Sequence, residues 1–348
     1  MNKNIKQSRY EAGEIVFGIQ SPGAGWIKLD GTARQVSTKI ASKLVTINWN
    51  TQTSTFGASN IISVAYANGT WVAGGTGGAL RTSTNATTWV TQTSQFGATT
   101  IFSVAYGNGT WVAGGTGGTL RTSLDNGINW NTQTSTFGTS TIYTVAYGNG
   151  VWVAGAQGGA LRTSTDGGVT WNTQTSQFGT SIICSIAYSN GVWVAGGSGG
   201  TLRTSTDTVN WNTQTSNFGA SNICALAYGN GIWIGSSLGG TLRTSTDAIN
   251  WNTQTSNTVS SIFGVAYGNG TWVAVGTSAT LRTSTDAVNW NTQTSNFFGT
   301  SIIYGVAYGN GTWVAGGEGG TLRTSGVSLT FGTPLVNPAY NIYGWMKL

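Results

Sequence analysis

The side chains able to do chemistry are few and evenly spaced. Arginine falls at 81, 121, 162, 203, 243, 282 and 323, each time within Leu-Arg-Thr-Ser. Asp125, Asp166, Asp207, Asp247 and Asp286 each lie four residues after one of these arginines, while the first and last copies carry Asn85 and Val327 there. Glu318 is the sole glutamate between residues 44 and 332, and Cys184 and Cys224 are the sole cysteines. Three chemistries suit such groups: anion binding by guanidinium, glycoside hydrolysis by a carboxylate pair, and thiol chemistry. Histidine is absent, which excludes Ser-His-Asp and Cys-His catalysis and every His-ligated zinc site. Glycoside hydrolysis wants two carboxylates facing each other. A sialidase wants a few distinguished arginines, a Tyr nucleophile and acidic partners. Here the arginines are interchangeable and the aspartates share one repeated turn. No enzyme activity, metal site or cofactor is expected.

Composition indicates which elements must carry these groups. The 348 residues include 54 Gly and 16 Trp, with 39% hydrophobic and only 7% charged residues. A helical chain of this size would be rich in Ala, Glu, Lys and Leu, so an all-β protein is expected, with enough apolar mass to fold. No apolar run approaches the ~20 residues of a membrane-spanning helix. The opening MNKNIKQSRYEAGE has no apolar stretch of the kind that marks a signal peptide. Two cysteines do not make a disulfide framework.

Three landmarks recur seven times at steps of 39 to 41 residues: the arginines above, Tyr at 66, 106, 147, 188, 228, 267 and 308, and Trp at 71, 111, 152, 193, 233, 272 and 313. Each unit reads as four short strands; in the second these are Ser103–Tyr106, Thr110–Gly114, Thr119–Ser123 and Ile128–Thr134. Gly107-Asn108-Gly109 joins the first two, and Asn-Gly is the strongest short hairpin signal because both central residues tolerate φ > 0. Four antiparallel strands per ~40–45 residues is the period of a propeller blade, whereas solenoid coils are shorter and need fewer turns. The fold expected is an all-β, seven-bladed β-propeller of four-stranded antiparallel blades over residues 44–332. Residues 46–53 read as an orphan fourth strand, expected to complete the last blade and clasp the two ends; Leu329-Thr330-Phe331 is a weak substitute.

Ser123-Leu-Asp125-Asn-Gly127-Ile-Asn-Trp130 and Ser164-Thr-Asp166-Gly-Gly168-Val-Thr-Trp171 fit the Asp-box (BNR) pattern S-x-D-x-G-x-x-W. With VAYGNGTWVAGGTGGTLRTS before it, the unit resembles the photosystem II assembly-factor type of propeller and its bacterial and phage relatives over residues 44–325. Asp207, Asp247 and Asp286 depart from the pattern, in a turn one residue shorter and without the Gly. The resemblance implies a structural role for these aspartates: the carboxylate caps turn N–H groups and the Trp packs beneath.

The ends are of another kind. All three prolines and all six lysines lie outside the repeats. Pro22-Gly23-Ala24-Gly25-Trp26-Ile27-Lys28-Leu29-Asp30-Gly31 resembles the opening of phage tail-fibre collar domains, and Asn337–Trp345 resembles the short closing strand of such fibres. On this resemblance residues 1–43 and 333–348 form a split attachment or oligomerisation module, a small β-module with Trp26 and Trp345 as attachment residues. The alternative is two unrelated strands flanking the ring. Residues 1–43 carry a net +4 and residues 44–325 only +1; the arginines are dispersed, so nucleic acid is not an expected partner.

For ligands, the loops between second and third strands vary at one column: Thr76, Thr116, Gln157, Ser198, Leu238, Thr277 and Glu318. By strand direction they share a face with the blade-to-blade crossings, which carry Phe56, Phe96, Phe137, Phe178, Phe218 and Phe298, interrupted by Thr258-Val259 in the sixth. Such a rim suits glycan by apolar stacking and neutral hydrogen bonds; plain solvated loops with Phe tucked inward are the other reading. The arginines are expected to be structural, stacking on a neighbouring blade's Trp and bonding free carbonyls. Cys184 and Cys224 share a strand position with Ile62, Phe102, Tyr143, Phe263 and Tyr304, which reads as an apolar core slot holding reduced thiols. The function expected is a phage virion structural protein, tail-fibre or adhesin-like. Its propeller would be an exposed head for host-surface glycan, its partners other virion proteins and copies of itself. It would be made in the host cytoplasm and located on the phage tail or particle surface, without membrane insertion. The alternative is a non-viral propeller acting as a lectin or assembly scaffold.

Overall fold

The computed structural model describes residues 16–19, 46–293, 298–328 and 342–345. Residues Ile47–Val327 form a seven-bladed β-propeller. The first strands of the blades are Ile61–Ala67, Ile101–Gly107, Ile142–Gly148, Ile183–Ser189, Ile223–Gly229, Ile262–Gly268 and Ile303–Gly309. Each packs beside the next, and the seventh packs beside the first, so they make a closed inner wall. In the first six blades the second, third and fourth strands follow outward in sequence order, all antiparallel.

The second blade shows how local sequence sets the elements. Its strands are Ile101–Gly107, Thr110–Gly115, Leu120–Ser123 and Asn131–Gln133. The first begins two residues earlier than alternation suggests because a β-bulge between Ile101 and Ser103 shifts the register. The fourth is shorter than expected, because the turn led by Asp125 holds the chain as far as Trp130. Asn108 and Gly109 sit at φ 47° and 83°, the two positive values of a type I′ hairpin. Gly107 is fixed by packing: a Cβ there would lie 2.0 Å from Cγ of Tyr147 on the next blade.

The core lies between blades. One joint holds Phe96, Ile101, Val104, Trp111, Ala113 and Trp130 of the second blade against Val72 and Leu80 of the first. Both Trp series are buried, those of the second strands as much as those beside the fourth strands. Around the inner wall, Oγ of Ser63 accepts the backbone N–H of Val104 at 3.1 Å, and Ser103, Thr144 and Ser185 repeat the bond to the next blade. On the outside, the recurrent Thr-Gln-Thr has a cause: the Gln amide donates to the third-strand Thr hydroxyl, as Gln133 does to Thr122 at 2.7 Å.

The seventh blade borrows its outer strand. Asn50 and Thr51 pair antiparallel with Thr324 and Arg323, and Thr46–Ile47 pairs further along the same strand, Leu322–Ser328. Gln52 donates to Thr324 at 2.7 Å, and Ser54 donates to the Gly320 carbonyl at 2.6 Å, the bonds that Gln92 and Ser94 make to Thr82 and Gly78 of the first blade. Residues 329–331, the substitute considered from sequence, lie outside the described residues. Separately from the ring, Val16–Ile19 pairs antiparallel with Ile342–Trp345, Val16 opposite Trp345. Trp26 lies outside the described residues.

Trp49 is buried in the closing segment. Trp49→Ala is expected to cost about 3–5 kcal/mol, read as a lower midpoint in urea denaturation with an unchanged native spectrum.

Candidate functional site

One face of the ring gathers the second loops, the crossings and the beginnings of the first strands. In the second blade the backbone N–H of Thr116 donates to the Thr100 carbonyl at 3.0 Å, and the Thr116 hydroxyl accepts the Thr100 N–H at 3.0 Å. Thr76, Ser198 and Glu318 accept the equivalent N–H of Asn60, Ile182 and Ile302. The varying column therefore sits where sequence places it, and four of its members cap the chain entering the first strand. Gln157, Leu238 and Thr277 hold the same place by backbone N–H bonds to Thr141, Asn222 and Ser261. Gln157 and Glu318 are the exposed members.

Inside that column is a second ring that sequence reasoning assigned to the core. Ile62, Phe102, Tyr143, Cys184, Cys224, Phe263 and Tyr304 are all half-buried, one per blade on the inner wall. Neighbours touch across the joints: Phe102 and Tyr143 centroids are 5.0 Å apart, and Phe263 and Tyr304 are 6.0 Å apart. Burial raises the Tyr304 hydroxyl pKa, with a further push from the Glu318 charge. The two cysteines are free. Burial raises the Cys184 thiol to about 11 and that of Cys224 to about 12, the latter helped by Cys184, so both are protonated and unreactive at neutral pH. Their partial exposure has a simple cause. The innermost strand has a neighbour on each side but none toward the axis, so its bulky residues stay partly open.

The arginines are structural, but they do not stack on tryptophan. The guanidinium carbons of Arg81, Arg121, Arg162, Arg203, Arg243 and Arg323 lie 4.8–5.3 Å from the ring centroids of Phe56, Phe96, Phe137, Phe178, Phe218 and Phe298. These Phe residues are only 3–5% exposed, which settles the open choice in favour of inward packing. Arg121 also donates through Nε and Nη2 to the Gln95 carbonyl at 3.0 and 2.7 Å, and through Nη1 to its neighbour Leu120. Gln95 has φ 59°. Such a residue turns its carbonyl out of the ladder, and the arginine satisfies it. Partial burial lowers the pKa of these guanidinium groups, which remain charged.

The sixth blade departs from this scheme. Its crossing has Thr258 in the Phe slot and is one residue shorter, and a cleft of about 730 Å³ opens there beside Arg282. The Gly-Gly of its second loop is replaced by Ser278 and Ala279, still at φ 51° and 52°.

The aspartates act as turn caps. Asp166 Oδ1 accepts the N–H of Val169 and Thr170 and the Ser164 hydroxyl, while Oδ2 accepts the Thr170 hydroxyl at 2.6 Å. Asp125, Asp207, Asp247 and Asp286 bond their own turns in the same way. Asn85 does so in the first blade, accepting the N–H of Thr87 and Thr88. The Trp ending each turn donates its indole N–H back into it, as Trp171 does to Gly168 at 2.8 Å. The five carboxylates are thus spent on separate outer turns. Among the described residues there is no cluster of three or more His, Cys, Asp or Glu.

No protein-family model matches the chain, and no curated protein matches it. Solved structures define the class: the fold is that of seven-bladed propellers. YCF48 from Cyanidioschyzon merolae superposes with TM-score 0.65 at 16% identity, covering 80% of this chain and 98% of that one. YCF48 bound to a D1 peptide aligns equally well, with TM-score 0.65 at 15% identity over 81% and 97% of the two chains. Catalytically inactive virginiamycin B lyase from Staphylococcus aureus with quinupristin gives TM-score 0.70 at 10% identity, covering 81% of this chain and 100% of that one. The resemblance read from the repeats to assembly-factor propellers is met at the level of the fold.

The caps carry a pH signature. Burial opposes ionisation of Asp166, but the bonds from Thr170, Ser164 and Val169 outweigh it and bring its pKa from 3.8 to about 2. For Asp207 and Asp247 the backbone and side-chain bonds of Asn210 and Asn250 lead, also downward. A carboxyl lowered by folding stabilises above its unfolded pKa, and that contribution is lost as pH falls through the folded value. The thermal midpoint should therefore drop between about pH 4 and pH 2. Combining Asp166→Asn, Asp207→Asn and Asp247→Asn should flatten this dependence in thermal scans across that range.

Proposed function

We propose that this chain is a non-catalytic recognition or assembly propeller, working through the face that carries the second loops and crossings. The observation that carries the reading is a division between spent and unspent side chains. The aspartates and arginines are committed to turns and carbonyls of the scaffold itself. The half-buried axial ring and the column from Thr76 to Glu318 differ from blade to blade on an otherwise repeated frame. Sites with many weak apolar and neutral polar contacts recognise surfaces and do not activate bonds. None of the three solved neighbours named above is a phage protein, which favours the non-viral lectin or scaffold over the particle protein. The D1 peptide of one YCF48 structure favours a polypeptide partner by analogy of fold.

The test is a screen of the purified chain on glycan and peptide arrays. Binding should be seen to a defined set of probes, and the combined variant Gln157→Ala, Leu238→Ala, Glu318→Ala should weaken it at least tenfold while keeping the native far-UV spectrum. A chain that holds no glycan and no peptide overturns the reading.

A second reading keeps the phage particle, with residues 1–43 and 333–348 as an attachment module and the propeller as a head for host glycan. It is favoured by the pairing of Val16–Ile19 with Ile342–Trp345, which brings together segments from before and after the blades in sequence. In that reading Trp26 and Trp345 serve attachment. Immunogold electron microscopy decides it: labelled particles support it, and unlabelled particles remove it.

A further inference from the structure

The sixth crossing differs from the other six in a way that specifies an occupant. In six crossings a Phe ring lies under an arginine and seals the joint between two blades. At the sixth, the chain follows the same path without the ring. Thr258 donates its N–H to Ser256 Oγ as Phe218 does to Ser216 Oγ, so Thr258 stands in the Phe position. Val259, which follows it where the other crossings carry an exposed Gly, is 91% exposed. The apolar cluster of that joint, Ile234, Leu242, Ile262, Trp272 and Trp290 among others, contains no Phe.

The arginine has stayed. Arg282 donates to the Asn257 carbonyl at 3.1 Å and to the Leu281 carbonyl at 3.2 Å, the anchors its counterparts use. Its Nε, which in Arg121 bonds the turned-out carbonyl, is buried without a hydrogen-bond partner among the described residues. The cleft beside it is bounded by Gly239 and Gly240 of the fifth blade's loop, by the crossing from Thr253 to Val259, and by Arg282.

We propose that this cleft accepts an aromatic side chain, Phe or Tyr, presented by a partner polypeptide and stacked on the Arg282 guanidinium as Phe56 is on Arg81. The six filled crossings show that the frame takes a planar ring at this place, and that an arginine–ring contact closes it. The Thr255 hydroxyl on one wall suits the peptide flanking that ring, whereas Gln254 and Ser256 are already bonded to Thr244 and Thr258. The proposal shares the face of the recognition reading above but uses neither the axial ring nor the varying column, so either can fail without the other.

The experiment titrates the full chain with N-acetyl-phenylalaninamide and, as controls, N-acetyl-leucinamide and methyl glucoside, following the Arg282 Nε–H and the Thr258 and Val259 methyl signals by NMR. Saturable shifts with the phenylalanine probe, at least fivefold tighter than with the leucine probe, are expected. Thr258→Phe should abolish the shifts and raise the melting temperature, since it restores what six crossings already hold. Arg282→Lys keeps the charge but loses the plane, and should erase the preference for the ring. Gln157→Ala with Leu238→Ala and Glu318→Ala should leave the shifts unchanged. Equal response to leucine, preference for the sugar, or binding that survives Thr258→Phe would overturn the proposal.

Discussion

A blade of this protein cannot bury its own faces. Its apolar residues, Ile101, Val104, Trp111 and Trp130 in the second blade, find cover on the blade before, against Val72 and Leu80. Every other feature serves that joint. Glycine appears where the next blade's Tyr presses on the backbone, as at Gly107. The inner hydroxyls of Ser63, Ser103, Thr144 and Ser185 bridge to the following blade. The arginine–Phe pair closes the joint at the face where the chain crosses over. Stability of this kind is a sum over neighbouring interfaces, and it is complete only when the last blade meets the first.

Most of this was legible in the sequence because the chain states it seven times. Spacing gave the blades, Asn-Gly gave the hairpins, and the orphan segment 46–53 gave the closing strand. What was not legible depended on which way a residue faces once the ring is formed. The slot shared by Ile62, Phe102 and Cys184 is apolar by content, yet it lies on the inner wall, where packing stops on one side. Phe and Trp are equally good platforms for an arginine; only the folded distance, 5.0 Å from Arg121 to Phe96, selects between them. The split module of residues 1–43 and 333–348 is touched by the described residues only through one strand pair.

The fifth and sixth blades break several rules of the frame together. Ser236 and Val275 stand where other blades have Gly, Ser278 and Ala279 where they have Gly-Gly, and Thr258 where they have Phe. Positive φ at a non-glycine residue carries a conformational cost, and an unfilled joint loses apolar contact. A repeat array concentrates such departures in one sector only if the remaining joints hold the ring, and here six crossings keep their Phe.

Gln52 finds Thr324 across 272 residues, whereas Gln92 finds Thr82 across 10. Each blade can therefore form from its own stretch of chain, but sealing must wait for both ends. Until then the third strand of the seventh blade is a bare sheet edge. The segment that fits it is present in every molecule, so self-closure competes with exchange between chains, and dilution during folding decides between a monomeric ring and a strand-swapped assembly.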